Sequence, residues 1–317
     1  MYSYVEEALI ALKRKMPDDC DAEYQQVKKN NGVVRDGFVI HKIGKSIAPT
    51  FYLTDKEKER LTPDEFAEQI VKHLNDELEY GVDFNIECLS DADWVRKHMI
   101  FDIVNRKRNE GMNYANVPLT DDLMVAFKVC ISSNSTVRLT DEHIKLWGLK
   151  SANSILKEAI NNAVDTDKPV FRSVGDVLLD ILVDEYKSQY PDVPEDEFRS
   201  RIKKEMFGGI DDKVFVLSTE NFSNAAMLYP GMLEDIRKKL NDNLVILPSS
   251  TKEVLIMREA DALSMGLDNV RAMVQQVNRD VVMQDNVSDY LSDEILRFDG
   301  ELKQIDIFAE KRESLVI

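Results

Sequence analysis

The chain has 317 residues, with 41 basic and 58 acidic side chains and a formal net charge of −17. Hydrophobic residues at 44% and charged residues at 31% suit a chain that buries a core, which excludes a disordered or collagen-like protein. The charge argues against nucleic acid and against an anionic membrane surface, because both recruit clustered lysines and arginines.

The acidity is uneven. Residues 1–60 carry 11 basic and 10 acidic side chains, whereas residues 121–317 carry 24 and 36. The largest basic runs, Lys13-Arg14-Lys15 and Arg106-Lys107-Arg108, are short and read as solvated helix faces. Three cysteines, Cys20, Cys88 and Cys130, are too few and too dispersed for a disulfide framework or a zinc ribbon. The first residues lack the positive start of a signal peptide, and no stretch approaches the ~20 apolar residues of a bilayer span. The expectation is a reduced, cytoplasmic protein.

Residues 2–16 read as a helix with Val5, Leu9 and Leu12 on one face. Val33–Ile43 and Ile47–Leu53, separated by Gly44, read as a hairpin of β-branched and aromatic residues. Thr62, Pro63 and Glu65 form a capping box with proline in the first turn, and Phe66, Ile70, Leu74 and Leu78 follow at helical spacing. Ser90-Asp91-Ala92-Asp93 predicts a further helix to about Asn109. Leu123–Ile131 is nearly all apolar, the pattern of a strand buried on both faces, with Val137-Arg138-Leu139 as its partner. Short helices are predicted after Thr140 and Ser151, and a longer one after Ser173. An acid-initiated helix spans 195–206, and Gly208-Gly209 marks a linker.

Strands are predicted at Val214–Leu217, Ala225–Leu228, Leu244–Leu247 and Val254–Met257. A helix follows Pro230, an amphipathic one runs from Leu267 to Val281, and a hairpin turns at Asp299-Gly300. The fold class is α+β, with mixed or antiparallel sheets and packed helices in two lobes, 1–207 and 208–317; the alternative is one continuous domain.

Catalytic signatures are sparse. Gly44-Lys45-Ser46 lacks the upstream glycine of a phosphate-binding loop, since position 39 is valine. Ser-x-x-Lys occurs three times, without the motifs that accompany it in acyl-transferring enzymes. The four histidines show no metal-pair spacing, so neither a metal nor a cofactor is expected. His98 and Asp102 fall four apart on the predicted helix, as a surface pair.

Two constellations stand out. Asn105 and Asn109 fall on one face of that helix, either as a polar network between elements or as amides offered to a ligand. Leu247-Pro248-Ser249-Ser250-Thr251-Lys252-Glu253 is a polar turn after a buried-type strand, a common ligand position in α/β proteins and also plain turn chemistry. With Asp122, the candidate site residues are therefore Asn105, Asn109, Asp122, Ser249, Ser250 and Glu253.

Asn105-Arg106-Lys107-Arg108-Asn109, Val117-Pro118 before Asp122-Leu123, and Leu146-Trp147-Gly148 resemble a family of uncharacterised proteins of gut Clostridia-type Firmicutes. So do Ala226-Met227-Leu228-Tyr229-Pro230, Ile246-Leu247-Pro248-Ser249-Ser250 and Leu291-Ser292-Asp293. The likeness covers about residues 30–300 and extends more distantly to the YtpQ-like uncharacterised family. It implies a bacterial cytoplasmic origin and no particular reaction.

The leading expectation is a non-catalytic acidic binding or adaptor protein that attracts a basic protein partner. The alternative is a hydrolase or other enzyme assembled from the dispersed candidates. An enzyme should show a cleft with convergent polar groups and a shifted pKa; a binding module should show an apolar patch or sheet edge rimmed by charge.

Overall fold

The computed structural model describes residues 3–45, 48–78, 86–132, 135–189, 199, 201–202, 213–221, 223–248, 250–282 and 287–305. The described residues form an α+β fold of three antiparallel sheets with packed helices.

The first unit begins with helix α1 (Tyr4–Lys15). Its N-terminal amides are met locally: Glu6 N donates to Ser3 Oγ, and Ser3 N donates to Glu6 Oε2 at 2.7 Å. Strands β1 (Cys20–Lys28), β2 (Val34–Lys42) and β3 (Thr50–Leu53) lie in chain order, and β1 pairs with β2 from Cys20↔Lys42 to Lys28↔Val34. The sequence pattern did not indicate β1, whose sole fully buried residue is Ala22. At the β1–β2 turn, Asn31 and Gly32 both take left-handed backbone angles, φ 62° and 71°. That is the requirement of a tight hairpin turn, and asparagine and glycine meet it at least cost. Helix α2 (Asp55–Arg60) follows, and then α3 (Pro63–Leu78), which starts as expected with Thr62 N donating to Glu65 Oε2 at 2.8 Å. The helices α1 and α3 cover one face of the sheet, and Leu12, Phe38, Ile40, Leu53, Phe66, Ile70 and Leu74 form its core.

The next element corrects the sequence reading. The helix expected to run to Asn109 is α4 (Ala92–His98) only, and Met99–Asn105 is strand β4. Met99, Phe101 and Ile103 pack into the largest core while Val104 enters a smaller one on the opposite face, the period of two that a strand imposes. The long apolar strand β6 (Leu123–Ser132) supplies the pairing partner, from Met99↔Val129 to Asn105↔Leu123. Tertiary pairing thus overrides a local helix signal. Asn105 ends a strand and Asn109 sits in the 3₁₀ turn Lys107–Met112, so they share no helix face. His98 and Asp102 separate too. His98 stacks on Trp94, while Asp102 pairs with Lys128 at 2.7 Å and Arg138 at 2.9 Å. Strands β5 (Asn116–Pro118) and β7 (Ser135–Arg138) line the other edge of β6.

Helices α5 (Asp141–Leu146), α6 (Leu156–Thr166) and α7 (Val174–Gln189) precede or flank the third sheet. That sheet has the order β13-β12-β10-β11-β9-β8. Its strands are β8 (Pro169–Ser173), β9 (Val214–Thr219), β10 (Leu244–Leu247), β11 (Val254–Arg258), β12 (Leu296–Phe298) and β13 (Leu302–Gln304). At its centre Leu244, Ile246, Val254 and Ile256 face the largest core, while Val245, Leu247 and Met257 face a second one under α9 (Glu259–Met265) and α10 (Leu267–Val277). The segment expected as a strand at 225–228 is a 3₁₀ turn, Asn224–Leu228, and leads through Tyr229 to helix α8 (Met232–Leu240). Its cause is Asn224, which clasps β4: Ile103 N donates to its Oδ1 at 3.2 Å, and its Nδ2 donates to Ile103 O at 3.0 Å. The amphipathic pattern beyond Val277 continues as a π-helical turn, Asn278–Val282.

The largest core takes side chains from Val95 to Leu296, on both sides of Gly208-Gly209, which lie outside the described residues, as does most of the helix expected at 195–206.

Candidate functional site

Three stretches far apart in sequence meet where the β1–β2 turn docks against the body. Asn31 is the pin. Its Nδ2 donates to Val287 O at 2.9 Å and Tyr290 O at 2.8 Å, and its own N–H donates to Asn109 Oδ1 at 2.8 Å. Asn109 Nδ2 donates to Asn31 Oδ1 at 3.0 Å and to Asn105 O at 2.7 Å. The Asn105 Nδ2 donates to Leu291 O at 2.7 Å, and its Oδ1 accepts from Arg108 N at 2.8 Å. The preceding Asn30 accepts from Tyr114 OH at 3.0 Å.

The other candidates join the same network. Asp122 holds Lys107 with one oxygen and accepts from Ser292 Oγ at 3.0 Å with the other. Ser250 bridges to Tyr290 through the backbone, and its Oγ accepts from Lys252 N at 3.0 Å. Its carbonyl accepts from Asn224 Nδ2 at 3.3 Å. Asn105, Asn109, Asp122 and Ser250 are all buried. The structure therefore brings four of the six candidates together. Ser249 lies outside the described residues.

Glu253 differs. It is half-buried, and no hydrogen bond reaches its carboxylate among the described residues. Burial pushes its pKa up, and the neighbouring Lys252 charge opposes that only in part. Burial pushes the Tyr290 hydroxyl up to about 12, and the Asp293 charge adds to that rise.

A family model described as a family of unknown function (DUF5688) matches residues 1–300. The chain belongs to that family. No curated protein and no solved structure matches it. In this DUF5688 protein, sequence reasoning missed Asn30, Asn31, Asn224 and Ser292 as members of the network. The signal for the first two was present, because Asn31-Gly32 is the dipeptide of a tight hairpin turn. For Asn224 and Ser292 there was none, since single polar residues declare no partner.

Beside the junction lies a cleft of about 620 Å³, lined by Gln26, Arg35, Asp36, Lys56, Lys58 and Val287 among others. Within it Lys58 pairs with Asp36 at 3.0 Å. A second cleft, of about 450 Å³, lies between Val164, Pro169, Tyr229, Pro230 and Met232. Among the described residues no group of three or more His, Cys, Asp or Glu side chains is placed to hold a metal, and no helix is long and apolar enough to cross a membrane. On α7, Leu178 and Ile181 are exposed one turn apart at 45% and 50%, next to the exposed acids Asp184 and Glu185.

Proposed function

We propose that this chain is a non-catalytic binding module of the bacterial cytoplasm whose acidic surface takes a basic protein partner. The observation that supports it is the state of the converged polar side chains. Asn105, Asn109, Asp122 and Ser250 already give or accept hydrogen bonds within the fold. A buried amide with its donors and acceptors matched internally tightens a structure and offers little to a substrate.

The net charge of −17 attracts basic partners at long range. The Leu178 and Ile181 stripe, rimmed by Asp184 and Glu185, supplies apolar contact at short range. Affinity capture from a bacterial lysate tests this with wild type and with Leu178→Glu/Ile181→Glu. A basic protein should be retained by wild type, released by salt, and lost from the double variant. Catalytic turnover of a lysate metabolite by the purified chain would overturn the reading.

Glu253 favours a second reading, an enzyme that uses it as a proton donor or acceptor. A half-buried carboxyl with a raised pKa and no hydrogen bond to its oxygens among the described residues suits that task. Because its folded pKa is raised, its contribution to stability is present at low pH and lost as pH rises through that value. Glu253→Gln should therefore raise the melting temperature at neutral pH. In a screen of chromogenic ester, phosphate and glycoside substrates, turnover that vanishes in the same variant would support the enzyme, and absence of turnover in wild type would count against it.

A further inference from the structure

The hairpin turn and the 3₁₀ turn that it docks on carry a sign of charge opposite to that of the whole chain. Residues 28–35 contain Lys28, Lys29 and Arg35 and no acid, and residues 106–109 contain Arg106, Lys107 and Arg108 and no acid. The Asn31–Asn109 hydrogen bonds hold these two stretches against each other. Six cations thus gather at one junction of a chain in which acids outnumber bases 58 to 41.

Their local pairing leaves part of that charge unneutralised. Lys107 is held by Asp122, and the Lys29 ammonium lies 3.8 Å from the centroid of the Tyr52 ring. The Arg108 guanidinium lies 4.2 Å from the centroid of the Tyr290 ring, and it has no ion-pair partner among the described residues. Lys28 and Arg106 are exposed, and neither has an ion-pair partner among the described residues. The Lys28 ammonium rests against Gly111, 3.7 Å from where a Cβ would stand, so it lies on the same turn as the arginines. Of the nearby carboxylates, Asp122, Asp289 and Asp36 are engaged by Lys107, Lys252 and Lys58, Asp293 accepts from Asn278 Nδ2 and Glu294 pairs with Arg271, while Asp121 and Glu110 are exposed.

We propose that this junction is a docking site for a short carboxylate-rich peptide segment of a partner protein, with Lys28, Arg106 and Arg108 as its principal contacts. Guanidinium groups pair with carboxylates in a fixed two-bond geometry, and the stacked Arg108 is already held in place by the Tyr290 ring. The segment must be short. A long polyanion such as nucleic acid would extend beyond the six cations onto a surface that repels it. The site deepens the binding-module reading, yet it is separate from the acidic face of α7.

A fluorescein-labelled decaglutamate peptide titrated into the full chain, followed by fluorescence anisotropy at low salt, tests the proposal. Binding should weaken as salt rises and fall by about tenfold or more in Arg106→Glu/Arg108→Glu. Lys28→Glu, which reaches the same turn from strand β1, should weaken it as well, which guards against a folding defect in the double variant. Leu178→Glu/Ile181→Glu should bind the peptide as wild type does, so failure on the α7 face and failure here are distinguishable. The proposal is overturned by no binding, by binding indifferent to the charge reversals, or by a single-stranded oligonucleotide binding tighter than the peptide. Full competition by inorganic phosphate at equal charge concentration would also overturn it, by making the ligand a free anion.

Discussion

The centre of the six-stranded sheet and the hairpin junction are both buried, and they are held by different physics. Along β10 and from Val254 to Met257 of β11 every side chain is apolar, and successive residues enter two cores on opposite faces. Stability there scales with area removed from water, and neighbours of similar size can substitute. At the junction the buried groups are asparagines, two serines and a carboxylate, each matched to a named partner. Hydrogen bonds add little net stability when made, and leaving one unmade inside is costly. The sheet centre therefore specifies that the chain folds, and the junction specifies how the first unit sits on the rest.

The largest effect should come from the apolar side. Phe127, fully buried in the core shared by β4, β6 and the helices, should cost about 3–5 kcal/mol on change to alanine, read by urea unfolding. A loss under about 1 kcal/mol would mean that the shared core is not the source of cohesion.

Asp102 comes next, where charge rather than area is buried. Burial raises its pKa, and the Lys128 and Arg138 charges more than reverse that, so the folded value is depressed. A depressed carboxyl stabilises the fold above its unfolded pKa and loses that contribution as pH falls through the folded value. Asp102→Asn should cost about 2–3 kcal/mol at neutral pH, less than a fully dry pair because the three groups keep some solvent contact. It should also flatten the acid limb of a stability–pH curve; an unchanged limb would remove Asp102 from the account.

Asn109→Ala probes the junction directly. It removes two donated bonds and one accepted bond and should cost about 1–3 kcal/mol. Hydrogen exchange sharpens the contrast. Amides of β1 and β2 should exchange faster while those of β10 and β11 keep their protection. Equal acceleration in both would erase the distinction between the two regions. The smallest effect should be at Ser173, which ends β8 and caps α7 by accepting from Asp176 N at 3.0 Å. Ser173→Ala should cost about 1 kcal/mol, and helix 174–189 should fray before the sheet opens, seen in the same exchange experiment.

How much was legible follows the same division. The capping box at Thr62 and Glu65, the doubly buried β6 and the β10–β11 hairpin were readable because each signal lies within one element. Strand β1 escaped because its residues are mostly polar and exposed, so only pairing with β2 reveals it. The Met99–Asn105 segment was misread as helix because a local start signal at Asp91 precedes it, and its true conformation depends on β6. Of the candidate site residues, Asn105, Asn109, Asp122 and Ser250 do converge, yet the pairing that unites them runs through Asn31, Tyr290, Leu291 and Ser292.

By itself the sequence determined the α+β class, the positions of most helices and the doubly buried strands, because capping, periodicity and side-chain volume act over a few residues. The tertiary structure alone decided that β4 is a strand, that the β1–β2 turn docks on the body, and that two basic stretches some seventy-eight residues apart at Asn31 and Asn109 share one surface. Those outcomes depend on which distant group satisfies a buried amide or carbonyl, and a one-dimensional pattern carries no record of that choice.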